Sequence, residues 1–361
     1  MKRVNLVLAS LIIIGLVAGC GGSGGSVKGK GVPEMTMTLK KAKVEFNLSG
    51  EGMAAVDWGD GSPIDSVKLN VGLSKAKHTY EQEAEYTVKI TGENITRLET
   101  FDLNITNVDV SNNPALIELK LQKNQLTSLD VSKNAALKKL DCRDNQLTEL
   151  NVSQNTALDH LDCYRNKITN LDVSKNTALT WLNVSTNKLT NLDISKNTAL
   201  KTLNCADNPL IGLDLINNTA LEGLDCSVCK LTSLDVSKNP ALSGLTCSNN
   251  QLSSLDLSKN PAFRSLTYEY GKLTTLDISG NPEIEFAYIK DNELSQVVVG
   301  DNLKLKRLDC RGNQLSTEAM NALFQLLPAN DVKDRDIFIQ NNPGADAANK
   351  SVAEKKGWTI K

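Results

Sequence analysis

The sequence has little of what catalytic centres and nucleic-acid interfaces usually require. Its 361 residues include only two histidines, His78 and His160, far apart in the chain, which argues against zinc enzymes and most histidine-based catalysis. The formal net charge is −2, so no basic excess predicts a nucleic-acid partner. Aromatic residues make up only 4% of the chain, fewer than a globular core usually contains. Nothing in the sequence predicts a cofactor or a metal site.

The N-terminus has the pattern of an export signal. Two basic residues precede an apolar run, Val4 to Val17, that is too short for a comfortable membrane span. The run leads into LVAGC, ending at Cys20, which resembles the lipobox of bacterial lipoproteins of the Bacteroidetes type. The resemblance implies that residues 1–19 are a signal peptide, and that lipidated Cys20 anchors the protein to the bacterial outer membrane. An ordinary secretory signal with an incidental cysteine is the alternative.

Residues 20–31 are rich in glycine and serine and predict a flexible tether. Some lipoproteins of this type carry acidic residues just after the lipidated cysteine as a signal for surface export, and none is present here. The sequence therefore leaves open whether the protein faces the cell surface or the periplasm.

Residues 32–93 predict short strands separated by polar turns. Alternating apolar residues mark strands at Val44–Leu48 and Tyr86–Ile90. Between them lie the motifs WGDG, which begins at Trp58, and HTY, which begins at His78. These motifs resemble those of the PKD domain, and the resemblance implies a small immunoglobulin-like β-sandwich.

Two acidic residues of this module, Asp57 and Asp60, could hold Ca²⁺. We favour a turn in which Asp60 accepts hydrogen bonds from backbone amides. His78 is predicted to be structural, because no metal-ligand spacing surrounds it.

Residues 94–315 repeat every 21 residues with no insertion or deletion, which predicts a solenoid. Each unit reads LxxLxCxxNx and then LxxLDVSxNxA, and the alternation of Leu140 and Cys142 with polar neighbours predicts a strand with one buried side. The pattern resembles the leucine-rich repeat superfamily, in the nested variety with a strand in both halves. The expected fold is mainly β, a parallel leucine-rich repeat solenoid. Successive units open at Leu116, Leu137, Leu158, Leu179, Leu200, Leu221, Leu242, Phe263, Ile284 and Leu305.

Recurrent asparagine and cysteine columns have an architectural interpretation. The first-half asparagine, Asn145 in one unit, is expected to bond the backbone of its own and the next unit. The cysteine column is expected to hold buried free thiols. A metal or redox half-site at Cys226-x-x-Cys229 lacks a second pair of ligands. The column cysteines are Cys142, Cys163, Cys205, Cys226, Cys247 and Cys310.

An aspartate column recurs in the second half of the units. It predicts a solvated ladder that is anchored to turns and neutralised by lysines three residues on, and a stripe of bound cations is the alternative. The column consists of Asp130, Asp172, Asp193, Asp214, Asp235, Asp256 and Asp277, with Asn151 in the series.

The repeat pattern stops at Leu315, and residues 316–361 predict a helical C-terminal cap. Ser316 can cap a helix with an apolar face that ends at Pro328. Ala345–Lys356 predicts a second helix, and Trp358–Ile360 predicts a last strand.

Function is expected at the solvent-exposed strand positions, where the units differ from one another. Aromatic and arginine side chains are frequent interface anchors, and the alternative is that these residues are scattered over the surface. The first predicted patch is Arg143, His160, Tyr164, Arg165 and Trp181. The second predicted patch is Arg264, Tyr270, Phe286, Tyr288 and Arg307. The small residues between them are Thr202, Ala206, Gly223, Ser227, Gly244 and Ser248.

The sequence thus predicts a non-catalytic, membrane-anchored recognition or adhesion module of the cell envelope. Its expected partner is a protein or a glycan, bound in a shallow trough between the two patches. A structural spacer without a specific ligand is the alternative. An enzyme is disfavoured, because the repeat already accounts for most of the cysteine and aspartate residues.

Overall fold

A computed structural model describes residues 32–329 and 334–361, which belong to one compact unit. The predicted signal peptide, the lipidation site Cys20 and the tether lie outside the described residues. Within the described part of the chain, no helix is long and apolar enough to cross a membrane.

The N-terminal part consists of antiparallel strands in two layers. The strands are β1 (Glu34–Lys40), β2 (Lys43–Glu51), β3 (Met53–Asp57), β4 (Asp65–Lys68), β5 (Ser74–Thr79), β6 (Glu85–Thr91), β7 (Asn94–Phe101) and β8 (Ile105–Asp109). A five-stranded sheet has the order β4-β3-β6-β1-β8, and β5-β2-β7 form the end of a second, longer sheet. Apolar side chains of both layers meet between them, where the rings of Phe46 and Trp58 lie 5.7 Å apart.

Strand β7 belongs to both the antiparallel part and the repeat array. It pairs antiparallel with β2 and parallel with the next strand of the long sheet, Glu118–Gln122. Strand β8 pairs with β1. The boundary predicted at residue 94 therefore falls at the first residue of a shared strand. One continuous sheet covers the open end of the solenoid, where apolar side chains would otherwise meet water.

The repeat array is a parallel sheet in which equivalent residues of successive units pair. Lys139 pairs with His160 and His160 with Trp181, a shift of one unit at each step. The strands are β9 (Glu118–Gln122), β10 (Lys139–Asp141), β11 (His160–Asp162), β12 (Trp181–Asn183), β13 (Thr202–Asn204), β14 (Gly223–Asp225), β15 (Gly244–Thr246), β16 (Ser265–Thr267), β17 (Thr275–Asp277), β18 (Phe286–Tyr288), β19 (Gln296–Val298) and β20 (Arg307–Asp309).

The second halves of the units are mostly not strands, contrary to the nested pattern. Among the described residues from Leu116 to Leu315, only β17 and β19 pair as strands in the second halves, with one isolated bridge between Asp130 and Asn151. Most second halves contain an aspartate that accepts a hydrogen bond from the amide two residues on and so closes a turn. Asp172 Oδ1 accepts from Ser174 N at 2.8 Å, and the same bond forms at the end of β17, where Asp277 Oδ1 accepts from Ser279 N at 2.8 Å. The turn is therefore compatible with a strand and does not by itself replace one.

The predicted cysteine column is confirmed as a row of buried free thiols. Column members such as Cys142 and Cys163 are fully buried, and burial raises the pKa of both thiols. A neutral, inaccessible thiol is a poor nucleophile and a poor metal ligand. These residues therefore serve the core.

The first-half asparagines form a hydrogen-bonded ladder along the array. Asn145 Nδ2 donates to Leu121 O at 2.8 Å and to Cys142 O at 3.0 Å, and its Oδ1 accepts from Leu126 N at 3.1 Å. Asn145 therefore bonds its own unit and the preceding unit, whereas the sequence predicted its own unit and the following one. Each asparagine satisfies backbone groups that the inward bend of the chain removes from water.

A second ladder occupies the second-half asparagine positions. Asn134 is fully buried, and its Nδ2 donates to Val110 O at 3.0 Å and to Asn113 O at 2.8 Å. The same pair of bonds recurs with Asn155, Asn176, Asn197, Asn218, Asn239, Asn260, Asn281 and Asn302 as the donor.

The C-terminal segment continues the sheet with two strands and adds short helices. Ser316 caps the first helix by accepting a hydrogen bond from Ala319 N at 3.2 Å. The second predicted helix, Ala345–Lys356, is helical over only four residues. The elements are α1 (Thr317–Leu326), β21 (Arg335–Phe338), α2 (Ser351–Glu354) and β22 (Trp358–Ile360).

Candidate functional site

The solvent-facing side of the repeat strands, here called the strand face, carries three columns of side chains. They alternate with buried leucines and cysteines, so they share one side of the sheet. The first column is Lys139, His160, Trp181, Thr202, Gly223, Gly244, Ser265, Phe286 and Arg307. The second column is Asp141, Asp162, Asn183, Asn204, Asp225, Thr246, Thr267, Tyr288 and Asp309. The third column is Arg143, Tyr164, Ser185, Ala206, Ser227, Ser248, Glu269, Lys290 and Arg311.

Four residues of the first predicted patch lie together on the strand face. The rings of His160 and Trp181 stack in parallel, with centroids 4.0 Å apart. Tyr164 and Arg143 occupy the third column beside them. Arg165 instead lies in a turn with a φ of 53°, where its side chain is 67% exposed and pairs with an aspartate at 3.4 Å. It is therefore outside the columns.

Three residues of the second predicted patch lie together in the same way. Phe286 and Tyr288 share a strand with their ring planes parallel, and Arg307 is the neighbour of Phe286 in the first column. Arg264 precedes its strand by one residue and falls outside the columns, with its side chain 61% exposed. Tyr270 occupies a turn with a φ of 57°.

Between the two patches the side chains of the first column are small. Four consecutive strands contribute Thr202, Gly223, Gly244 and Ser265. A Cβ atom added to either glycine would meet no atom within 4 Å, and neither backbone has the positive φ that demands glycine. Folding therefore does not require glycine at these two positions. We call this region, together with the second-column and third-column residues of the same strands, the central trough.

Two carboxylates of the strand face, Asp141 and Asp162, were not identified as site residues from the sequence. They pair in register on neighbouring strands, and Asp162 is only 3% exposed. Burial raises the pKa of Asp162 to about 6 and also raises the pKa of Asp141. Arg143 lies 3.5 Å from Asp162 and 3.6 Å from Asp141. The register of the repeat could have placed these two aspartates side by side, but their burial could not be read from the spacing.

We expect Asp162→Asn to raise the free energy of unfolding by about 2 kcal/mol at pH 7.5. The unfolded carboxyl titrates near pH 4, whereas the folded one titrates at about 6. The stability that Asp162 contributes is therefore fully present below about pH 4 and is lost as the pH rises through about 6. Asparagine carries no charge and keeps the Oδ1 that accepts from Tyr164 N at 3.1 Å. Urea unfolding at pH 4 and pH 7.5 measures the difference.

Asp172→Asn is the matched control for this measurement. Its carboxylate is exposed, and hydrogen bonds from Ser174 lower its pKa, so its substitution should act in the opposite direction. A stability difference between the Asp162→Asn variant and the wild type that is the same at both pH values would contradict the assignment.

The aspartate column closes turns on another side of the solenoid. Asp130, Asp235 and Asp256 each accept a hydrogen bond at 2.8 Å from the serine amide two residues on. These hydrogen bonds are the main cause of the lowered pKa of the three carboxyls, and the lysines three residues on contribute less. No group of three or more His, Cys, Asp or Glu residues in residues 32–329 and 334–361 is arranged to hold a metal ion.

The acidic turn of the N-terminal part is a structural turn, as predicted. Asp60 Oδ1 accepts from Ser62 N at 3.0 Å, and its Oδ2 lies 2.7 Å from His78 Nε2. The His78 ring stacks on Trp58 with centroids 4.9 Å apart. The histidine therefore fastens this turn to the core.

Comparison with solved structures shows that the fold is a leucine-rich repeat solenoid. An internalin of Listeria monocytogenes is 19% identical with a TM-score of 0.55, over 70% of this chain and 85% of that one. A leucine-rich repeat protein of Leptospira interrogans is 19% identical with a TM-score of 0.50, over 73% and 83%. A structure of the LRIM1/APL1C complex matches at 21% identity with a TM-score of 0.51, over 64% of this chain and 50% of that one. No family model and no curated protein matches the sequence.

Proposed function

We propose that this protein is a non-catalytic recognition module that binds its ligand through the strand face. One observation carries the proposal. The first column has glycine at Gly223 and Gly244, although folding does not require glycine there. Aromatic side chains lie at both ends of this stretch of small residues. A spacer would gain from β-branched or aromatic residues at such strand positions. Glycines without neighbouring atoms, between two groups of aromatic side chains, instead leave space in which a ligand can bind.

Solved leucine-rich repeat structures support this reading at the level of the fold. The LRIM1/APL1C structure is a complex, and another match is a plant peptide hormone receptor in complex with RGF2, at 17% identity with a TM-score of 0.53. The chemistry of the columns also disfavours catalysis. The column thiols are buried, with raised pKa values at residues such as Cys163 and Cys226, and the aspartate column closes turns.

The test of this function is site-specific photo-crosslinking on intact cells. A benzophenone side chain at Thr202, in the first column, should capture one discrete partner. The same group at Lys133, an exposed second-half position, is the control and should capture none. Equal capture at both positions, or capture at neither, would favour the spacer and reject recognition through the strand face.

The proposal includes a lipid anchor at Cys20 and a PKD-like sandwich that holds the solenoid away from the membrane. The lipobox sequence supports the anchor, and the WGDG turn fastened by His78 supports the sandwich. Mass spectrometry of the mature N-terminus should find an acylated Cys20, and Cys20→Ala should release the protein from the membrane fraction. Protease treatment of intact cells distinguishes a surface location from a periplasmic one.

A further inference from the structure

The central trough has a defined length and two aromatic ends. Trp181 and Phe286 are separated by five strand steps, which at about 4.8 Å per strand is about 24 Å. One face of the Trp181 indole is covered by His160 at 4.0 Å. The other face is turned toward Thr202 on the next strand, which is the first residue of the trough. The trough therefore begins at an aromatic face.

The floor of the trough is polar and almost uncharged. Its second column contributes Asn204, Asp225, Thr246 and Thr267, and its third column contributes Ala206, Ser227 and Ser248. Asn204 Oδ1 accepts from Ala206 N at 3.1 Å and Asp225 Oδ1 accepts from Ser227 N at 3.0 Å. Within the described part of the chain, Asn204 Nδ2 and Asp225 Oδ2 have no hydrogen-bond partner. The backbone thus positions one donor and one acceptor for a ligand.

The charged side chains around the trough are already paired with each other. Arg143 lies within 4 Å of two aspartates, Lys290 lies 3.7 Å from Glu269, and Arg307 lies 3.2 Å from Asp336. No lysine or arginine belongs to the floor. A ligand that complements this surface is therefore uncharged, since an anionic ligand would meet Asp225 and no free cation.

The composition of the floor favours a sugar chain over a polypeptide. Protein interfaces have cores enriched in aromatic residues, methionine and arginine and depleted of serine and alanine, whereas this floor consists of small hydroxyl, amide and glycine residues. Sugar hydroxyls need such donors and acceptors, and the C–H faces of sugar rings pack on aromatic side chains. The strand spacing is also close to the rise of one pyranose unit, so successive sugars would meet equivalent positions.

We infer that the central trough binds a neutral, linear oligosaccharide that runs across the strands from Trp181 toward Phe286. The aromatic rings pack on sugar faces at the two ends, and Asn204 and Asp225 bond hydroxyl groups along the floor. The open positions of Gly223 and Gly244 admit the chain. This inference rests on the proposed function of the strand face and names the ligand class.

Isothermal titration of the full chain with defined hexasaccharides tests the inference. The probes are neutral linear hexamers of glucose, mannose, xylose and N-acetylglucosamine, with a galacturonate hexamer as the charged counterpart. At least one neutral hexamer should bind and the galacturonate hexamer should not. Trp181→Ala and Phe286→Ala should each weaken binding by about 10-fold or more.

The double variant Gly223→Val, Gly244→Val blocks the trough without disturbing the fold. It should abolish binding while the unfolding midpoint stays the same or rises, because both added side chains enter open space and valine favours strands. Gly212→Val is the matched control. A Cβ at Gly212 also meets nothing within 4 Å, but this residue lies in a second half, so binding should be unchanged.

Two outcomes would overturn the inference, and they are distinct from failure of the proposed function. If no neutral hexamer binds while the Thr202 crosslinker captures a protein, the ligand class is wrong and recognition by the strand face stands. If a hexamer binds equally well to the blocked double variant, the sugar site is not the trough, and the assignment of this surface fails.

Discussion

Replacing Gly271 by asparagine should lower the free energy of unfolding by about 3 kcal/mol or more, although most units have asparagine at this position. The cause is Tyr268, which occupies the cysteine column of the same unit and is fully buried. A Cβ atom at Gly271 would lie 2.4 Å from the Cζ and Oη atoms of Tyr268. Tyr268 Oη donates to Leu252 O at 3.1 Å, so the tyrosine fills the volume of the missing asparagine and also bonds the preceding unit.

A double-mutant cycle measures this exchange. Tyr268→Cys alone should destabilise the protein by leaving a cavity, and Gly271→Asn alone should destabilise it by overpacking. The variant with both substitutions restores the repeat consensus and should regain most of the wild-type stability in urea unfolding. Additive effects of the two substitutions would contradict the proposed exchange of volume, since coupling is expected only between residues that share one space.

Replacing Asn166 by alanine should lower the free energy of unfolding by about 3 kcal/mol, because buried polar groups lose their partners. Asn166 Nδ2 donates to Cys142 O and Cys163 O, both at 3.1 Å, and Asn166 Oδ1 accepts from Leu147 N at 3.0 Å. Alanine leaves the amide of Leu147 without an acceptor inside the solenoid. The carbonyls of Cys142 and Cys163 each lose one of two asparagine donors and keep the other, from Asn145 and Asn187.

Urea unfolding of two further variants gives this prediction its controls. The chain itself has a cysteine at one ladder position, where Cys229 Sγ donates to Cys205 O at 3.6 Å and to Ser227 O at 3.5 Å. Asn166→Cys should therefore cost roughly half as much as Asn166→Ala. Asn170→Ala, at an exposed position, should be nearly neutral. Equal costs for Asn166→Ala and Asn170→Ala would mean that the ladder does not stabilise the array.

Much of the fold could be predicted from the period of the sequence. An uninterrupted repeat implies that equivalent residues stack, so the sequence alone predicts which residues belong to the cysteine, asparagine and aspartate columns. The second halves could not be predicted as well. Their LxxLDV pattern has the same alternation as a strand. The turn that the aspartate closes is the same in strand β17 and in the second halves without a strand, so neither the alternation nor the aspartate tells the two apart.

The candidate site was predictable only in part. Neighbouring units correctly brought His160 beside Trp181, because a shift of 21 residues is one strand. Arg165 and Tyr270 were placed on the same face, although their positive φ values turn them aside. The sign of φ depends on the turn that ends each strand, and hydrophobic periodicity carries no information about it.

The sequence by itself determined the solenoid, its columns and the stretch of small residues between two aromatic groups, because a strict period leaves only one way to stack the units. The tertiary structure decided which of those residues can meet a ligand. Burial raises the pKa of Asp162, and the arginines at the ends of the trough form ion pairs with neighbouring aspartates. The packing of the units leaves Gly223 and Gly244 facing open space. These properties depend on distances to neighbouring chain segments, which a one-dimensional pattern does not contain.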